Sequence, residues 1–132
     1  MTAPTTKVVV FRTGSGRYAI DVDRVASVHR AGDVQLVPDP RPGVLGMTRI
    51  ADDNIPVVIP FGPAGAYVVL VEGTDRRFGL AVDEIVGLVE VAPGQLEGAP
   101  PGQRDALIGG VLGGSDGITL VVDVDLVEGL LR

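Results

Sequence analysis

Short runs of β-branched and aliphatic residues alternate along the chain with clusters of glycine, proline and aspartate. Val8-Val9-Val10-Phe11, Pro56-Val57-Val58-Ile59, Val68-Val69-Leu70-Val71 and Leu120-Val121-Val122 are examples. Apolar runs this short, bounded by turn residues, predict strands. Lys7 to Thr13 and Arg17 to Val22 are expected to pair across Gly14-Ser15-Gly16, where glycine permits positive φ. Tyr18 and Ile20 then share one face. Asp23 is placed to cap a short helix carrying Val25 and Val28, an i,i+3 pair on one side. A strand near Val34 to Val37 follows. The segment Pro38-Asp39-Pro40-Arg41-Pro42-Gly43 is too rich in proline for regular structure and predicts a loop. Val44 to Ala51 and Ile55 to Phe61 then predict a hairpin turned at Asp52-Asp53-Asn54.

The same order of features returns. Arg17-Tyr18-Ala19-Ile20-Asp21-Val22-Asp23-Arg24-Val25 resembles Arg77-Phe78-Gly79-Leu80-Ala81-Val82-Asp83-Glu84-Ile85 at an offset of 60 residues. A Val-rich run precedes each copy. Gly46 before Pro56-Val57-Val58-Ile59 matches Gly110 before Leu120-Val121-Val122-Asp123 at an offset of 64. Ala66 to Glu72 and Arg77 to Val82 therefore predict a hairpin, with Asp83 capping a short turn and Gly87 to Val91 a strand. Ala92 to Asp105 predicts a loop, Leu107 to Leu112 and Ile118 to Val124 a hairpin, and Asp125 to Leu131 a short amphipathic helix. Two copies are too few for a solenoid. They predict one domain over residues 1–132, with a flexible tail (1–6) and two similar halves, 7–62 and 66–132. Five strands per half suit a small closed β-barrel, which leaves no open edge. The expected fold class is mostly β, with two such barrels and short helices.

Composition narrows the function. The 132 residues include no cysteine and no tryptophan, which excludes disulfide frameworks, thiolate metal sites and thiol catalysis. Eleven basic against 17 acidic residues leave a net charge of −6, without a basic stripe for nucleic acid or an anionic membrane. The uncharged stretch from Asp53 to Glu72 contains three prolines and two glycines, unlike a membrane-spanning helix. A soluble, cytoplasmic protein is expected.

Candidate chemistry is sparse. His29 is the only histidine, and one imidazole cannot build a multi-histidine metal site. Ser15 and Ser115 sit in expected turns, and no Gly-x-Ser-x-Gly elbow occurs. The pairs Asp21/Asp23 and Asp123/Asp125 stand where a strand meets a helix, so Asp23 and Asp125 are expected as caps rather than cation ligands. The glycine-rich segment from Gly109 to Gly117 lacks the lysine and following helix of a phosphate cradle. No catalytic residue, cofactor or metal is expected, and an interaction module is the better reading than an enzyme or ligand carrier.

The ordered pattern resembles the CheW-like family, the adaptor domain of bacterial chemotaxis. Phe11-Arg12, Tyr18-Ala19-Ile20-Asp21-Val22, Arg24-Val25, Pro38, Pro42, Val44-Leu45-Gly46 and Ile55-Pro56-Val57-Val58 carry the likeness in the first half. Phe78-Gly79-Leu80-Ala81-Val82-Asp83-Glu84-Ile85 and Leu120-Val121-Val122-Asp123-Val124-Asp125 carry it in the second. The resemblance implies two five-stranded SH3-like barrels sharing an apolar interface. It also implies a non-catalytic scaffold that binds the regulatory domain of a CheA-type histidine kinase and the cytoplasmic tip of chemoreceptors in chemotaxis and motility signalling. Carried over by position, the receptor-like groove would include Val25, Val28, Gly46, Ile50 and Ala51. Two departures stand out. The family's Asn-Leu-Arg-Gly aligns with Arg49-Ile50-Ala51-Asp52, so Ala51 replaces an arginine used in receptor contact, and Ile59 replaces an aspartate. They favour a second possibility, a divergent scaffold that has left the chemosensory array and binds another motility or polarity regulator.

Overall fold

A computed structural model describes residues 6–14, 16–31, 34–36, 43–61, 65–92, 94–98, 107–114 and 117–131. The expected tail before Thr6, most of the proline loop, the linker at 62–64, the loop at 99–106 and the tips of two hairpins lie outside the described residues.

Twelve strands account for most of the described chain. The first half supplies β1 (Thr6–Thr13), β2 (Gly16–Asp21), β3 (Val25–Arg30), β4 (Gln35–Leu36), β5 (Val44–Ile50) and β6 (Asp53–Val58). The second supplies β7 (Tyr67–Glu72), β8 (Arg77–Val82), β9 (Glu84–Val91), β10 (Leu96–Gly98), β11 (Ile108–Gly114) and β12 (Gly117–Val122). A short helix, α1 (Val124–Glu128), and a 3-10 turn close the described chain. Each half holds one strand more than the five expected. β3 stands where a helix was expected, and β10 lies inside the expected loop.

The strands form two sheets, ordered β10-β11-β12-β2-β1-β9 and β3-β7-β8-β6-β5-β4. The orders are related by exchanging each strand of one half for its counterpart six places along. Each sheet therefore takes four strands from one half of the sequence and a hairpin from the other. The β1–β2 hairpin sits between β12 and β9, and the β7–β8 hairpin sits between β6 and β3. The parallel pairs Val57↔Gly79 and Leu120↔Tyr18 make this splice in each sheet. The repeat is thus real in the architecture, but its sheets do not divide at residues 62–66. Both sheets are open rather than closed, so β9, β10, β3 and β4 remain end strands among the described residues.

The exchange follows from burial. Successive residues of β1, β2, β7 and β8 point to opposite faces, and one apolar face of each sheet packs on the other sheet, while β7 and β8 are buried on both faces. Phe11, Ile20, Val58, Val69, Val71, Phe78, Leu80, Val82 and Val122 form the core between the sheets, closed below by Val124 and Val127 of α1. Phe11, Tyr18 and Phe61 stack at one side, with centroid separations of 5.8 and 4.2 Å. Burial in this stack pushes the Tyr18 phenol above its ordinary pKa. The far face of the first sheet has a smaller core of Val8, Val10, Ala19 and Val91. Neighbouring residues serve opposite cores: Ile20 the first, Ala19 the second.

Capping differs by one position from expectation. The first aspartate of each pair is the cap. Asp21 accepts from the Asp23 amide at 2.9 Å, and Asp123 accepts from the Leu126 amide at 3.1 Å. Asp83 caps nothing. Its carboxylate accepts from the Gly14 amide at 2.8 Å and ties the corner between β8 and β9 to the β1–β2 turn.

Candidate functional site

β3 is the open end strand of its sheet, and Val25 and Val28 lie on it rather than on a helix. After the single 3-10 turn at Val22–Arg24 the chain extends, because Val25-Ala26-Ser27-Val28 has weak helix propensity and β7 offers a free edge. In a regular strand, residues three apart face opposite ways. Here a β-bulge at Ala26 intervenes: Val25 pairs with Val71 and Ser27 with Leu70, so Ala26 has no partner. Val28 then pairs with Val69. Val69 and Val71 both belong to the core between the sheets. The bulge thus returns Val25 and Val28 to one face, as the sequence spacing required, by a different local geometry. Val25 packs against the core, while Val28, opposite the core residue Val69, is 42% exposed.

The repeat builds a matching rim on β9, the end strand of the other sheet. Val10 pairs with Gly87 and Phe11 with Ile85, leaving Val86 in the bulge position. Leu88 pairs with Val9, which packs on the core between the sheets. Leu88 is 57% exposed and Val86 42%. Leu88 lies 60 residues after Val28, so both end strands carry an exposed aliphatic residue at the same place in the repeat. Sequence reasoning missed this second rim. The Val25/Ile85 match at offset 60 was the available signal.

The remaining candidate residues lie elsewhere. Gly46 pairs with Val57, whose neighbour Val58 faces the core between the sheets, so Gly46 belongs to the opposite face and is buried there. Ile50, four residues on, shares that face. Ala51 is at the hairpin tip. Ile50 and Ala51 border a surface hollow of about 390 Å³ with His29, Arg30, Thr48, Arg49 and Val68. Val25, Val28 and Gly46 are not among its described walls. The five residues therefore divide into a rim pair, a buried glycine and a hairpin-tip pair. His29 is half-buried and lies 2.7 Å from the Ser27 hydroxyl, a local pairing along β3. Arg49 reaches Asp52 at 3.7 Å and is largely exposed.

No group of three or more histidine, aspartate and glutamate side chains able to hold a metal ion occurs among the described residues. No helix of the described chain is long and apolar enough to cross a membrane.

Two open sheets with exchanged hairpins, exposed aliphatic residues on their end strands and a helix at the base define a duplicated two-sheet β domain. The chain belongs to the CheW-like domain family, whose model matches residues 7–129. Among solved structures, the chain is similar to the scaffolding protein TtCheW from Thermoanaerobacter tengcongensis, with a TM-score of 0.83 and 19% sequence identity. That match covers 95% of this chain and 88% of the other. The search of curated proteins returned no match.

Proposed function

We propose that this protein is a non-catalytic adaptor of chemotaxis-type signalling, coupling the regulatory domain of a CheA-type histidine kinase to chemoreceptor tips. Membership of the CheW-like family supports the adaptor reading. The observation that carries the docking surface is Val28, an exposed aliphatic side chain on the end strand β3, opposite the core residue Val69. A partner helix laid along β3 would cover it and extend that core, as an amphipathic helix does in an apolar groove. Arg30 and Arg49, beside Ala51 at the hairpin hollow, supply cations close to where the family's arginine is missing. The second reading, a scaffold serving another motility or polarity regulator, draws its support from Ala51 itself. An exposed methyl group cannot make the charged hydrogen bond that anchors an interface.

Val28→Asp and Val25→Asp test the surface. Val28→Asp should weaken capture of a receptor-tip helical hairpin at least about tenfold while the melting temperature stays within about 2 °C. Val25→Asp should instead lower the melting temperature, because it drives a charge against the core. Wild-type protein that captures the kinase regulatory domain but no receptor tip would favour the second reading. Unchanged receptor capture by Val28→Asp would remove the rim from the site.

A further inference from the structure

The repeat exposes a mismatch in charge. Across the β7–β8 hairpin Glu72 faces Arg77, and the Arg77 guanidinium donates from Nε to Glu72 Oε1 at 2.8 Å. The counterparts 60 residues earlier are Arg12 and Arg17, which face each other across the β1–β2 hairpin. Two like charges directly opposite on one sheet face are unfavourable. Arg12 turns to Glu84 of β9, at the long distance of 4.0 Å. Arg17 Nε is buried and has no hydrogen-bond partner among the described residues. A buried unpaired N–H of a guanidinium costs desolvation free energy that only an acceptor recovers.

Arg17 also lines a cavity of about 180 Å³. Val10, Val89, Val91 and Leu112 line it, together with Arg17 and the hydroxyl-bearing Thr119. Val10, Val91 and Leu112 belong to the smaller of the two cores or pack on it, whereas Val89 is exposed at the mouth of that face. Glu90 also borders the cavity, and Lys7 lies 3.9 Å from its carboxylate. One cation with a free donor, at a small pocket whose walls combine these aliphatic side chains with polar ones, Gln95 among them, selects a planar anion on a short hydrocarbon body.

We infer that Arg17 and this cavity bind a small carboxylate on an apolar stem. The guanidinium takes the carboxylate in the place that Glu72 occupies on Arg77, and Val10, Val91 and Leu112 take the stem. The inference does not depend on the adaptor reading, since the cavity lies on the face of the first sheet away from the core between the sheets.

The probe is 3-methylbutanoate, titrated into the whole chain and followed by two-dimensional NMR of the Val10 and Leu112 methyls and the Arg17 Nε–H signal. Saturable shifts with a Kd on the order of 1 mM are expected for a ligand of this size. Arg17→Met should weaken binding at least about tenfold, the scale of one lost charge-assisted contact. Arg12→Glu should also abolish it, by giving Arg17 the intramolecular carboxylate that its counterpart has. Amide spectra of both variants establish that the fold is kept. The inference is overturned if no saturable shift appears by about 50 mM, well beyond millimolar affinity. It is equally overturned if 3-methylbutan-1-ol or inorganic phosphate binds as well as the carboxylate, or if folded Arg17→Met or Arg12→Glu binds like wild type.

Discussion

Ala51 and Asp52 turn the β5–β6 hairpin with φ of 50° and 68°. Two consecutive positive φ values in a two-residue loop are the type I′ geometry, whose twist matches that of the flanking strands. Aspartate tolerates this conformation, whereas alanine gains nothing there to offset the contact of its Cβ with the backbone. Ala51→Gly should therefore stabilise the fold by about 1 kcal/mol, read as a rise of about 4 °C in melting temperature. An unchanged or lowered value would show that the turn relaxes around alanine without strain. The sequence reading placed this turn one residue late, at Asp52-Asp53-Asn54. Without a glycine to mark it, the run of polar turn formers was the only local signal. Val25 and Val28 show the complementary case. Their i,i+3 spacing correctly implied one shared face, but a bulge at Ala26 produces it as well as a helix would, and only pairing with β7 decides between them.

Within the elements, the short C-terminal helix does more than cover the core. Glu128 of α1 is fully buried, and its carboxylate accepts from the backbone amides of Thr74, Asp75 and Arg76 at 2.9 to 3.1 Å. Asp125, one turn earlier, accepts from the Thr74 hydroxyl at 2.9 Å and from Arg24 at 3.1 Å. The helix thereby clasps the β7–β8 turn and joins it to the 3-10 turn before β3. A Cβ at Gly73 would meet both the Glu128 carboxylate and the Arg76 carbonyl, so that turn has no room for a side chain. Glu128→Ala would leave three part-buried amides without their acceptor. The expected cost is about 3 kcal/mol, or about 10 °C in melting temperature, with Glu128→Gln intermediate. A loss below about 1 kcal/mol would mean that water replaces the carboxylate at little cost. The amphipathic helix was legible from Leu126, Val127, Leu130 and Leu131. The role of Glu128 was not, because a lone glutamate on a short helix carries the same pattern whether it faces solvent or a distant turn.

At the scale of the whole molecule, the duplicated order of strands was legible because both copies keep the same residue classes at offsets of 60 and 64. Sheet membership was not. Parallel pairing of β2 with β12 and of β8 with β6 joins residues far apart in the chain, and no local pattern records it. That exchange decides which strands lie at the sheet edges. Because each sheet borrows a hairpin from the other half, β3 and β9 are left as end strands, and each projects an exposed aliphatic residue beside the shared core. The family resemblance joined Val25 and Val28 to Gly46, Ile50 and Ala51 in one groove, whereas here the first two lie on β3, Gly46 on the opposite face of its sheet, and Ile50 and Ala51 by a hairpin tip. The proposed adaptor role requires docking at outer faces of the duplicated domain. Sedimentation velocity tests it most directly, on a mixture of the purified chain, the regulatory domain of a CheA-type kinase and a chemoreceptor-tip fragment from the same host. A single faster boundary containing all three is predicted, with Val28→Asp losing the receptor fragment and keeping the kinase domain. Three boundaries at the rates of the separate components would contradict it.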